Sequence, residues 1–152
     1  MQISSLLSPE RCRAKLPCSS KKRLFEKLAE LIAQSTPGVS AELLFSHLIN
    51  RERLGSTGIG EGIAIPHCRF ETQGATLGAL ITLADPIDFD AIDNRPVDII
   101  FAMLVPIDAN EKHLLTLASL AEALQSAPYV EGLRKSTDDN GLFLAATVTA
   151  AA

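Results

Sequence analysis

The sequence predicts an α/β domain, α+β in the order of its elements, with one mixed β-sheet sandwiched between helices in three layers. Three observations carry that prediction. Capped amphipathic stripes come first, strand-compatible segments fill the middle, and helical patterns return at the end. The run from Val97 to Val105 is almost continuously apolar, which is how a strand covered on both faces by helices reads. No repeat or low-complexity linker divides the 152 residues, so one domain is expected over 1–152, with its core over about 4–145.

The elements follow in order. Ser19 or Ser20 can cap a helix with Leu24, Phe25, Leu28, Leu31 and Ile32 on one stripe. Lys21, Lys22, Glu26, Lys27 and Glu30 are then left mostly to solvent. Pro37-Gly38 stops this helix, and Ser40 caps a second one that carries Leu44 and Leu48 and ends near Arg51 or Glu52. Ala75 to Leu83 reads as a strand with Leu77, Ile81 and Leu83 on one face. Asp85-Pro86 and the stretch Asp88 to Pro96 supply turn chemistry and a short strand around Phe89. Pro106 ends the long apolar strand. Asp108 and Glu111 then resemble a capping box for a helix with Leu114, Leu117, Ala118, Ala121 and Leu124 as its core stripe. A last helix is expected from Gly141 to Thr147.

Composition excludes several functions. A net charge of -4 lacks the basic footprint of non-specific nucleic-acid binding and argues against docking on an anionic membrane. The apolar stretches fall short of the ~20 residues that span a bilayer, and the N-terminus lacks the pattern of a secretory signal. Cys12, Cys18 and Cys68 form no C-x-x-C pair, so neither a disulfide framework nor a cysteine zinc site is expected, and a reducing cytoplasm is the simplest setting. With no Trp and few aromatics, the core must come from Leu, Ile, Val and Ala. Histidine is scarce, with three residues in all.

The chemistry concentrates between Glu52 and Cys68. Gly55, Gly58, Gly60 and Gly62 crowd one run, followed by Ile63-Ala64-Ile65 and Pro66-His67. The run has neither the ending of a P-loop nor a dinucleotide fingerprint. A histidine after proline, at the end of a short apolar strand, has a fixed backbone and an open approach. Its neutral form is populated near pH 7, so it can act as a nucleophile. Backbone N–H groups of the loop Ser56, Thr57, Gly58 and Gly60 can hold phosphoryl oxygens. On chemistry alone, a turn histidine beside a loop chosen for its geometry is an equal reading.

Glu52, six residues, Ile59-Gly60, two residues, then Ile63-Ala64-Ile65-Pro66-His67-Cys68 resembles the active-site signature of fructose/mannitol-type IIA proteins of the bacterial phosphotransferase system. That resemblance implies that His67 is phosphorylated on Nε2, as a tele-phosphohistidine, by a small histidine-containing phosphocarrier protein. It also places Arg51 and His113 at the positions of an active-site arginine and a second active-site histidine. A planar guanidinium fork suits phosphoryl oxygens. The first turn of a helix, where His113 falls, favours anions. Without the resemblance, His113 reads as a polar residue at the rim of the core. His47 matches no family position and is read as structural or surface, and Cys68 is given no nucleophilic role.

The opening Ile3 to Glu10, the run Ser20-Lys21-Lys22-Arg23, and Asp88 to Asp93 with Pro96-Val97-Asp98 resemble nitrogen-regulatory members of this family. The Ala-rich end, 145–152, departs from the charged helical tails such members carry. The implied protein is a cytoplasmic phosphotransferase component with a nitrogen-related regulatory role. A sugar-specific IIA that passes phosphate to a IIB domain is the alternative. A metal-dependent hydrolase using His67, Cys68 and His113 is disfavoured because carboxylates at ligand spacing are too few. A binding module with an unmodified His67 is a further rival. The expected partners are the phosphocarrier donor and regulatory target proteins, with no nucleic acid and no membrane insertion. Homodimerisation stays open, and neither metal nor organic cofactor is implied.

Overall fold

The computed structural model of the chain describes residues 3–148, so the outermost ends of the predicted domain, including the last of the Ala-rich tail, lie outside the described residues. Two short 3-10 turns, Ile3–Ser5 and Pro9–Arg11, lead into β1 (Cys12–Leu16). Helices α1 (Lys21–Ser35) and α2 (Ala41–Leu54) follow, then β2 (Gly58–Gly60), β3 (Ile63–Ala64) and β4 (His67–Arg69). The long strands β5 (Leu77–Ile87) and β6 (Val97–Val105) precede α3 (Glu111–Ala123), α4 (Ala127–Lys135) and α5 (Asp139–Val148).

The sheet runs β1-β5-β6-β3-β2, with β4 also paired to β6. Strands β5 and β6 are antiparallel, whereas β1 on β5 and both β3 and β4 on β6 are parallel. The sheet is mixed, as expected. The period of two along β6 divides the core. Ile100, Ala102 and Leu104 face α1 and α2, and Ile99, Phe101 and Met103 face the layer that contributes Leu120, Leu124, Val130, Leu133 and Leu142. Every residue from Ile99 to Leu104 is buried, which accounts for the unbroken apolar run. The predicted face of β5 is correct as well: Leu77, Ile81 and Leu83 join the α1–α2 side, while Leu80 serves the other.

Both N-terminal helices start where their serines predict. Ser20 Oγ accepts the Arg23 N–H at 3.1 Å, and Ser40 Oγ accepts the Leu43 N–H at 3.3 Å. Several local expectations are corrected. Helix α2 runs on to Leu54, beyond Glu52. Strand β5 continues through Asp85-Pro86 to Ile87, with a register shift between Thr82 and Ile87 that lets the proline sit where no ladder hydrogen bond is needed. Phe89 lies in a loop instead of a strand, and it is fully buried against Phe25. Lys21 does not lie in solvent but pairs with a buried carboxylate described below.

The cap of α3 is Asn110, not Asp108. Asn110 Oδ1 accepts the Lys112 N–H at 3.0 Å, and His113 reciprocates as the third helical residue. The buried stripe of α3 therefore comprises Thr116, Leu120 and, just beyond its end, Leu124, with Leu117 and Ala121 partly buried. Leu114 and Ala118 face outward. Strand β1 and helix α4 were not foreseen. Helix α4 is short and holds Pro128 and Gly132, so its pattern is weak, yet it buries Tyr129, Val130 and Leu133.

The β2–β3 turn is latched to α4. Arg134 Nε and Nη2 reach Asp98 at 2.9 Å, and Nη2 donates to the Glu61 carbonyl at 2.8 Å. Gly62, at φ +79°, sits inside this latch, where a Cβ would lie 2.6 Å from Arg134 Nη2 and 2.9 Å from Asp98 Oδ1. Gly62→Ala should therefore both strain the backbone and push the ion pair apart, at a cost of about 1–3 kcal/mol. A fall in the urea midpoint with unchanged slope would register it.

Candidate functional site

The site is built where α2 ends. Glu52 is 8% exposed, and its carboxylate is enclosed by donors. The Thr57 N–H lies 3.1 Å from both carboxylate oxygens, and Thr57 Oγ1 donates at 2.6 Å. Lys21 Nζ, from the start of α1, approaches to 2.7 Å. The same ammonium donates to the Phe89 carbonyl at 2.9 Å and lies 4.5 Å from the centre of the Phe89 ring. These contacts fold the glycine loop back onto the helix end. Ser56 Oγ donates to the Phe89 carbonyl and accepts the Gly58 N–H. Gly58 has no room for a side chain, since a Cβ would lie 2.7 Å from Ala91 Cβ.

The loop then delivers the histidine. The Ile65 N–H donates to the Thr57 carbonyl at 3.0 Å, and the Met103 N–H donates to the Pro66 carbonyl at 2.8 Å. His67 opens β4 opposite Met103 on β6 and is half-buried. Its Nδ1 lies 2.8 Å from the Ile65 carbonyl oxygen. A carbonyl can only accept, so Nδ1 carries the proton, and in the neutral ring Nε2 keeps a free lone pair. At His113 the geometry is reversed. Its Nδ1 accepts the Asn110 N–H at 3.3 Å, so the proton of the neutral ring sits on Nε2. One imidazole thus presents a nucleophilic nitrogen, and the other presents an N–H donor.

Arg51, in the last turns of α2, donates from Nη1 to the Gly55 carbonyl at 2.9 Å, and α2 packs against β4. Arg69, at the far end of β4, donates to the Ile107 and Ala109 carbonyls and so ties that strand to the segment leading into α3. Arg51, the loop Ser56 to Gly60 and His67 therefore stand on directly packed elements, and His113 stands on the element joined through Arg69. Among the loop amides, those of Thr57 and Gly58 already have protein acceptors. His47 is exposed, with its ring edge against Phe70 at 5.1 Å. Sequence reasoning assigned no role to Arg69 or to the Lys21–Glu52–Thr57 cluster. Glu52 at the head of the motif was the available signal.

Cys68 adjoins the histidine, and burial pushes its thiol up to about 12, as it does that of Cys12. A thiol with so high a pKa stays protonated at neutral pH, and the thiolate is the reactive form. Both cysteines should resist iodoacetamide in the native protein near pH 7 and react on unfolding, as mass mapping of labelled peptides would show. Among the described residues, no group of three or more His, Cys, Asp and Glu side chains converges as a metal ion requires. No described helix is long and apolar enough to cross a membrane.

Residues 5–145 match the family described as phosphoenolpyruvate-dependent sugar phosphotransferase system, EIIA 2. The chain belongs to this IIA family. Among IIA relatives, the nitrogen regulatory protein of Pseudomonas aeruginosa is 41% identical over 143 residues, which cover 94% of this chain and 93% of the relative. The nitrogen regulatory protein of Escherichia coli K12 is 41% identical over 150 residues, covering 98% and 91%. The crystal structure of nitrogen regulatory protein IIA-Ntr from Neisseria meningitidis superposes with a TM-score of 0.87 at 35% identity, over 95% of this chain and 99% of that one. The mixed sheet between helix layers is thus the architecture of a solved IIA protein.

Proposed function

We propose that this IIA protein accepts a phosphoryl group on His67 Nε2 from a histidine-containing phosphocarrier protein and acts in the cytoplasm as a nitrogen-related regulator. The hydrogen bond from His67 Nδ1 to the Ile65 carbonyl carries the reading, because it leaves the outer ring nitrogen as the nucleophile. In the transfer, a P–N bond forms at His67 Nε2 while the P–N bond to the donor imidazole breaks, and the electron pair of that bond returns to the donor ring. Positioning and charge stabilisation do most of the work in such transfers. Arg51 offers a guanidinium fork and His113 an Nε2–H to the phosphoryl oxygens. The loop Ser56, Thr57, Gly58 and Gly60 borders the group, chiefly by shape where its amides are already paired. Ile107, Leu114 and Leu115, each more than half exposed around the start of α3, offer apolar surface for the incoming carrier. The regulatory role rests on the similarity to nitrogen regulatory proteins. Phosphorylation would add nearly two negative charges at this edge and change what binds there.

The test is incubation with phosphoenolpyruvate, the first enzyme of the system and the carrier. An acid-labile adduct of roughly 80 Da, one phosphoryl group, is expected on the native protein and absent from His67→Ala. An adduct that persists in His67→Ala would sink the reading. Arg51→Ala should slow uptake on the order of 10²-fold, the usual cost of one donor to a developing charge. A regulator should pass no phosphate to a IIB domain, whereas onward transfer would assign the protein to sugar uptake.

A further inference from the structure

Glu52 heads the motif, yet its carboxylate is committed to Thr57 and Lys21 inside the protein. We propose that Glu52 and Thr57 are positioning residues that set the tautomer of His67. This inference rests on the phosphoryl-acceptor reading of that ring only for its consequence, not for its geometry.

The connection is continuous. Glu52 grips the N–H and hydroxyl of Thr57, the Thr57 carbonyl accepts the Ile65 N–H at 3.0 Å, and the Ile65 carbonyl accepts His67 Nδ1–H at 2.8 Å. Each step fixes the orientation of the next peptide. A neutral imidazole in water exchanges its proton between the two nitrogens. If Nε2 carries the proton, the lone pair turns toward the protein and the outer nitrogen can no longer attack phosphorus. The Ile65 carbonyl prevents that only while its peptide is held in place. Pro66 on one side is restrained by the Met103 N–H, and Thr57 is the restraint on the other. Burial of Glu52 matters here. A carboxylate at 8% exposure, charge-paired to Lys21, holds its donors more firmly than a solvated one. The competing arrangement is that the β6 ladder alone holds the Ile65 peptide, which would make Glu52 purely structural.

The experiment compares the full chain with Thr57→Val, which removes the hydroxyl donor at nearly constant volume, and with Thr57→Ser, which keeps it. A third protein, Lys21→Met with Glu52→Leu, replaces the ion pair by apolar groups of similar size, an exchange that folds generally tolerate. The ¹⁵N shifts of the His67 ring report its tautomer in the unphosphorylated protein, and adduct formation reports uptake. Thr57→Val and the double variant should lose part of the Nδ1–H population and take up phosphate roughly 3- to 10-fold more slowly, the scale of one lost hydrogen bond. Thr57→Ser should behave as the native chain. Native ring shifts in Thr57→Val, or in the double variant, would overturn the proposal. Should the double variant fail to fold, Thr57→Val and Thr57→Ser decide it. Altered ring shifts in a family of proteins that take up no phosphate, the native chain included, would uphold the positioning and refute the acceptor reading.

Discussion

Replacing Glu52 by alanine is expected to destabilise the fold by about 3 kcal/mol or more, the range found when one partner of a buried ion pair is removed. Three groups lose their acceptor together: the Lys21 ammonium, the Thr57 hydroxyl and the Thr57 amide. The side chain of Lys21 is 23% exposed and keeps the Phe89 carbonyl, which holds the cost toward the lower end. The loss should appear as a lower urea midpoint, and the paired substitution Lys21→Met with Glu52→Leu should recover only the part due to the unpaired ammonium, because the Thr57 hydroxyl and amide still lack their acceptor. A Glu52→Ala protein as stable as the native chain would show that the cluster contributes nothing net.

Phe89→Ala should cost about 3–5 kcal/mol, comparable with the whole stability of a marginal domain. The ring is fully buried, lies 5.8 Å from that of Phe25, and supports the Lys21 ammonium on its face. Truncation leaves a cavity between α1 and the sheet and removes the cation–π contact. Because Lys21 touches both Glu52 and Phe89, the two losses should be non-additive. A double-mutant cycle on Glu52 and Phe89 should give a coupling of roughly 0.5–3 kcal/mol. Additivity within error would mean that Lys21 does not link them.

How much of this was legible beforehand varies with the range of the interaction. Caps and stripes are local, so Ser20, Ser40 and the apolar positions of α1 could be read directly. The two-sided burial of β6 was visible in its composition. Strand β1 was not, because Cys-Arg-Ala-Lys-Leu has no strong pattern and is a strand by virtue of its pairing with β5. The stripe of α3 was read in part: Leu117, Ala121 and Leu124 do pack toward the sheet, whereas Leu114 and Ala118 satisfy helical periodicity equally well but face outward, and packing selected Thr116 and Leu120 instead. The apolar Leu114 and Leu115 are then left more than half exposed. Phe89 looked like a strand residue because its burial is that of a core residue, although its backbone is a loop.

The sequence by itself determined a glycine-rich turn followed by a short strand and Pro-His between Glu52 and Cys68, since these are encoded within a few residues, and its resemblance to the family signature pointed to His67 among the three histidines. The partners of Lys21 and the union of α2, β4 and the start of α3 were decided only by the tertiary structure. Each depends on a carbonyl, carboxylate or strand edge supplied from elsewhere in the chain, and neither periodicity nor propensity records which way such a group points.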